Sequence, residues 1–62
     1  MAQYNFKFDV FDMVIIKALD VPGRVVAIKV VGHNIFYSIE YWWKGTIQSV
    51  ALYEDELSKV KS

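Results

Sequence analysis

The sequence predicts an all-β fold of five short antiparallel strands, curled into a small barrel with one 3₁₀ turn before the last strand. Three observations predict it. β-Branched and aromatic residues dominate the apolar stretches. Apolar and polar side chains alternate with period two along much of the chain. Turn residues cut it at short intervals, the spacing expected of an antiparallel sheet. A sheet this short and apolar must cover one face, and curling removes its edges and fills its interior.

Each element follows in order. Tyr4, Phe6 and Phe8 alternate with Asn5 and Lys7, so residues 1–8 read as an aromatic N-terminal segment or extra strand. The segment adds to a sheet edge, docks on another chain, or covers the open end of the barrel as a flexible terminus. Residues 9–62 form the barrel. Residues 13–19 are rich in β-branched side chains and make the first strand. Asp20-Val21-Pro22-Gly23 reads as a turn, with Pro22 fixing its own φ and Gly23 free to take positive φ. Residues 24–31 make the second strand, and Gly32-His33-Asn34 the next turn.

Residues 35–43 are the third strand. Tyr37, Ile39 and Tyr41 share one face, and Phe36, Ser38, Glu40 and Trp42 the other. Lys44-Gly45 fits a two-residue hairpin loop. Residues 46–53 are the fourth strand, with Ile47, Ser49, Ala51 and Tyr53 alternating against Gln48, Val50 and Leu52. Glu54-Asp55-Glu56-Leu57 suits one 3₁₀ turn with acidic residues at its favoured N-terminal side. Lys59-Val60 makes a short last strand, with Val60 inward beside Leu57.

Sixty-two residues bound the problem to one domain. A domain this small buries about 60% of the surface its unfolded chain exposes, so its core is marginal. The chain has no cysteine and one histidine, which excludes disulfides and the usual zinc sites. Help must come from a very apolar core or a partner chain. Composition favours both: 55% of residues are hydrophobic and 16% aromatic, against an average apolar share of ~45–50%. The net charge is zero, from seven basic and seven acidic residues, without the basic excess of most nucleic-acid binders. No run approaches the ~20 apolar residues of a membrane span. The N-terminus has no basic start followed by a long apolar stretch, so the expected location is the cytoplasm, with no membrane partner.

Four segments together resemble a known architecture: Phe11-Asp12-Met13-Val14, Pro22-Gly23-Arg24-Val25-Val26, Tyr37-Ser38-Ile39-Glu40-Tyr41 and Glu54-Asp55-Glu56-Leu57. They resemble small SH3-like barrels, whose pattern is Gly-Asp-x-Val, Gly-x-Val-Val, Tyr-x-Val-x-Trp or Tyr, and Glu-x-x-Leu. Tudor-like and ribosomal-type barrels and many short phage or plasmid proteins share it. The resemblance covers residues 8–60 and implies a fold more than a function, because this fold hosts many activities. The family's glycine before Asp12 is Phe11 here. A narrower likeness is to plasmid-type type II dihydrofolate reductases, short SH3-like chains that form a tetramer around a pore. Val50-Ala51-Leu52-Tyr53 is similar to their Val-Gln-Ile-Tyr, and Lys17 matches a lysine ending their first strand. Their ligand-binding glutamine is Ala51 here, which has no donor or acceptor. That likeness implies shared fold and assembly rather than shared chemistry.

No catalytic residue stands out, and the reading leans away from an enzyme, a cofactor or a metal. His33 lies in a turn and reads as a solvated turn residue rather than a general base. Ser38, Thr46 and Ser49 lack a strained nucleophile setting. Glu54, Asp55 and Glu56 are consecutive and face water. The informative pair is Trp42-Trp43, since successive strand residues point to opposite faces: one can enter the core, and the other is left outside or at an interface. Trp42, Trp43, Phe36, Tyr4, Phe6 and Phe8 are the expected partner-binding residues. The expectation is a non-enzymatic interaction or self-assembly module of phage or plasmid accessory type, binding itself or another protein. A nucleic-acid-binding barrel using Lys17, Arg24, Lys29 and Lys44 is the alternative, and a reductase-like oligomer the second.

Overall fold

The computed structural model describes residues 6–60. Five strands follow in order: β1 (Met13–Ile16), β2 (Val21–Val31), β3 (Asn34–Trp43), β4 (Thr46–Leu52) and β5 (Leu57–Lys59). A 3₁₀ turn, Glu54–Glu56, precedes β5. All pairings are antiparallel, in one open sheet of order β4-β3-β2-β1-β5. The all-β expectation holds. Among the described residues no helix is long and apolar enough to cross a membrane.

One face of this sheet makes the core. Phe8, Val14, Ile16, Val25, Tyr37, Ile39 and Leu57 are buried, and Ile28, Tyr41, Val50 and Leu52 pack against them. Burying each such aliphatic or aromatic side chain stabilises the fold by ~1.5–3 kcal/mol. Phe8 and Tyr37 meet edge to face, 5.4 Å apart at 82°. The Tyr37 hydroxyl accepts a hydrogen bond from the Lys7 amide at 2.9 Å. Phe8 thus joins the core, although residues 6–8 form no strand. Tyr4, the first ring of that alternation, lies outside the described residues.

β2 solves a patterning problem. Strict alternation would put Arg24 and Lys29, five residues apart, on opposite faces. The ladder with β3 skips Val26, pairing Val25 with Ile39 and then Ala27 with Ser38. This bulge inverts the parity of the strand. Arg24 and Lys29 both stay outside, while Val25 and Ile28 both turn inward.

The turns correct three sequence expectations. β1 ends at Ile16, and the turn to β2 spans residues 17–20, not 20–23. Asp20 takes the left-handed conformation (φ 56°) that lets this loop close, and Asp tolerates it better than most side chains. Its amide donates to the Ile16 carbonyl at 2.7 Å. Pro22 and Gly23 lie inside β2 instead. Pairing with β3 begins only at Arg24, so the missing N–H of Pro22 removes no bond to that strand. Gly23 is there for space: a Cβ would sit 2.5 Å from Ile39 Cγ2 and 3.1 Å from the Glu40 carbonyl oxygen. Val60 is the second correction. It follows β5 and is exposed, because β5 ends at Lys59 and only Leu57 reaches the core. The Lys44-Gly45 hairpin loop forms as expected, while the loop before β3 is the two residues Gly32-His33 rather than three, because Asn34 pairs with Val31 inside the ladder. Lys44 and Gly45 both have positive φ (53° and 82°), the type I′ signature, and Gly32 alone does in the other (61°), as in type II′.

The entry to β1 is strained. The Asp12 amide donates to the Asp9 carbonyl at 3.0 Å, closing a turn whose third residue is Phe11. Phe11 has φ 76°, where such turns want glycine. The Phe11 amide bonds to the Val25 carbonyl and holds this geometry against β2. The ring itself is 72% exposed. A glycine would relax this position.

Two stability predictions result. Gly23→Ala should cost about 1–3 kcal/mol, because the added methyl meets a fully buried isoleucine on the neighbouring strand. Urea titration checks it, and an unchanged midpoint would show that β2 and β3 can part freely. Phe11→Gly should instead stabilise. Relief of the left-handed conformation is worth ~1–2 kcal/mol, less ~0.5–1 kcal/mol for glycine's greater freedom in the unfolded chain. The net gain of up to ~1.5 kcal/mol should raise the thermal midpoint by up to roughly 10 °C for a domain of this size, and a fall would mean the ring makes compensating contacts.

Candidate functional site

Outward parity on β1–β4 builds a second face opposite the core. The ladder aligns Met13, Arg24, Glu40 and Ser49 in one row across four strands. Neighbouring strands lie ~4.8 Å apart, so the row spans about 14 Å. Two residues along, beyond the end of the β2–β3 ladder, Ile15 pairs with Pro22 on one side and Trp42 with Ile47 on the other, a second row split at its centre. A groove of about 450 Å³ runs between these rows, with Met13, Pro22, Arg24, Glu40, Trp42 and Ile47 along it.

The groove is apolar and wet. Trp42 is 66% exposed, Ile47 57% and Met13 48%. Soluble domains rarely leave such side chains side by side without a use. Arg24 and Glu40 are the only charged residues of the lining. They are cross-strand neighbours, yet among the described residues no ion pair joins them.

The expected partner-binding residues divide between places. Trp42 lies at the centre of this groove. Trp43 points to the core side but is 37% exposed. Neither tryptophan is a core residue, because here β3 extends beyond its pairing with β2 and only β4 flanks it. Phe36 shares the outer face with Trp42 but lies six residues away, ~20 Å along an extended strand. There it packs on Tyr53, with ring centroids 4.7 Å apart. Phe8 is in the core, and Phe6 is exposed at the N-terminal end of the described chain.

The basic residues are also spread out. Lys17 opens the β1–β2 turn, its amide bonded to the Glu56 carbonyl. Lys29 stands opposite Phe36, and Lys44 is in the β3–β4 hairpin loop. Only Arg24 reaches the groove. Of the residues matching the reductase-like pattern, Leu52 packs against the core and Tyr53 stacks on Phe36.

A shallower hollow of about 350 Å³ brings His33 toward Glu54, Asp55 and Glu56. Among the described residues no group of three His, Cys, Asp or Glu side chains is placed to hold a metal. Sequence reasoning missed Met13, Pro22, Glu40 and Ile47 as groove residues. Their alternation gave the face, but only the register between strands brings them level with Trp42.

Comparison of the chain with known protein families, curated proteins and solved structures gives no match.

If Trp42 is a surface residue, its removal should spare the fold. Trp42→Ala is expected to cost less than about 1 kcal/mol, whereas Tyr37→Ala should cost ~3–5 kcal/mol. Denaturation at the lowest practical protein concentration, where any self-association contributes least, separates the two. Equal losses would place Trp42 in the stability of the single chain.

Proposed function

We propose that this chain is a small interaction module that works by self-association, built on an SH3-like barrel. The pairing of first and last strands, the bulge in the long β2 and the 3₁₀ turn before β5 support the barrel. One observation carries the function: Trp42, Ile47 and Met13 surround one open groove and leave about half or more of their surface in water. Tryptophan in such a setting is a frequent energetic anchor of interfaces.

Self-association is favoured over a foreign partner on two grounds. A chain of 62 residues has a marginal core, and joining copies is a common source of added stability. The groove also continues to a free edge. β4 carries no charged residue and no proline over Thr46–Leu52, and so lacks the usual protection against pairing with another chain. A nucleic-acid role draws less support, because Lys17, Lys29 and Lys44 stand apart from the Trp42 groove.

Light scattering over a hundredfold concentration range tests this reading. The wild-type chain should form a dimer or larger assembly, and Trp42→Ala should shift it to monomer while keeping its circular dichroism. A wild-type monomer at every concentration would remove the proposal.

A further inference from the structure

We infer that the second copy docks face to face on the Trp42 groove, about a two-fold axis parallel to the strands between β2 and β3. The inference rests on the self-association proposed above and adds its geometry. Arg24 and Glu40 sit level with each other on adjacent strands, in the middle of an otherwise uncharged groove. Any partner that covers the groove takes both from water, and the desolvation penalty is large unless each meets an opposite charge. A partner that supplies an anion and a cation side by side, with the order reversed, offsets that penalty for both groups.

A second copy does so by symmetry. A two-fold axis along the strands, between β2 and β3 and midway between the two sheets, exchanges the positions of β2 and β3. Arg24 then faces Glu40 of the second copy, and Glu40 faces its Arg24. The same operation acts on the neighbouring row. Pro22 and Trp42 each lie two residues beyond the Arg24–Glu40 pair, where the β2–β3 ladder ends, and both line the groove. Trp42 therefore lies over Pro22 of the second copy, and Ile47 over its Ile15. Met13 meets Ser49. Each bulky apolar side chain of one copy falls on a small or aliphatic one of the other, and packed sheets at ~10 Å leave room for this. An isologous contact of this kind closes on itself as a dimer.

Charge reversal tests the inference. Arg24→Glu sets two carboxylates against each other in both halves of the interface, the introduced one facing Glu40 of the second copy. Glu40→Arg does the same with two guanidinium groups. Each variant alone should dimerise at least about tenfold more weakly, as close interfacial charge pairs predict. An equimolar mixture of the two should recover wild-type affinity as a heterodimer, and the double variant Arg24→Glu/Glu40→Arg should recover it as a homodimer. Mixing cannot change the pairing of positions 24 and 40 within one chain, so recovery in the mixture reports contact between chains. Dimers indifferent to both reversals, or a mixture no tighter than its components, would overturn this geometry and leave self-association standing. A monomeric wild-type chain would overturn both.

Discussion

The burial of Tyr37 is the constraint on which the rest of the structure depends. It is the largest side chain in the core to be fully buried. In the ladder it stands between Ile28 of β2 and Leu52 of β4, so its ring fixes which faces of three strands turn inward. A buried phenol also needs a hydrogen-bond partner for its hydroxyl. The Lys7 amide supplies it, and the next residue, Phe8, closes over the ring. The N-terminal segment is thus bound to the core by the polar tip of one central tyrosine. Once Tyr37 and Ile39 are committed inward, Phe36, Glu40 and Trp42 have no choice but the outer face.

How much of this was legible depends on what each feature rests on. The inward set of β3 and β4 followed from period two, a local property that any sheet must obey. The hairpin loops followed from Gly32 and Lys44-Gly45, since positive φ restricts the residues a turn will take. The β1–β2 turn did not follow. Pro22-Gly23 carries the strongest local turn signal, but Gly23 is needed where β2 and Ile39 approach most closely, and Asp20 can turn the chain in its place. Tertiary packing outweighed local preference there. The parity change at Val26 was equally hidden, because the unbroken apolar run from Val25 to Ile28 gives no sign of which residue is extra.

The candidate site was legible in its anchor and not in its surroundings. Trp42 and Trp43 had to point apart, and they do. Grouping Phe36 with Trp42 used the shared face correctly but ignored the length of the strand between them. Grouping Phe8 with the surface rings treated alternation as a guide to exposure, when it reports only direction. Which residues meet across strands is a matter of register, and register is set by the whole sheet rather than by any one segment.

The two ends of the outer face differ in a way that favours the Trp42 end for the proposed interface. At the other end Phe36 and Tyr53 stack on each other, and each ring shields part of its neighbour within a single chain. At the Trp42 end the neighbours are Ile47, Pro22 and Met13, and all four side chains are exposed. Among the described residues no further strand lies over them, because β4 is an edge and the chain turns away after Leu52. The cover that suits best matches a cation and an anion side by side, places a small ring over a tryptophan, and is present wherever the protein is. A second copy meets all three conditions without any further component.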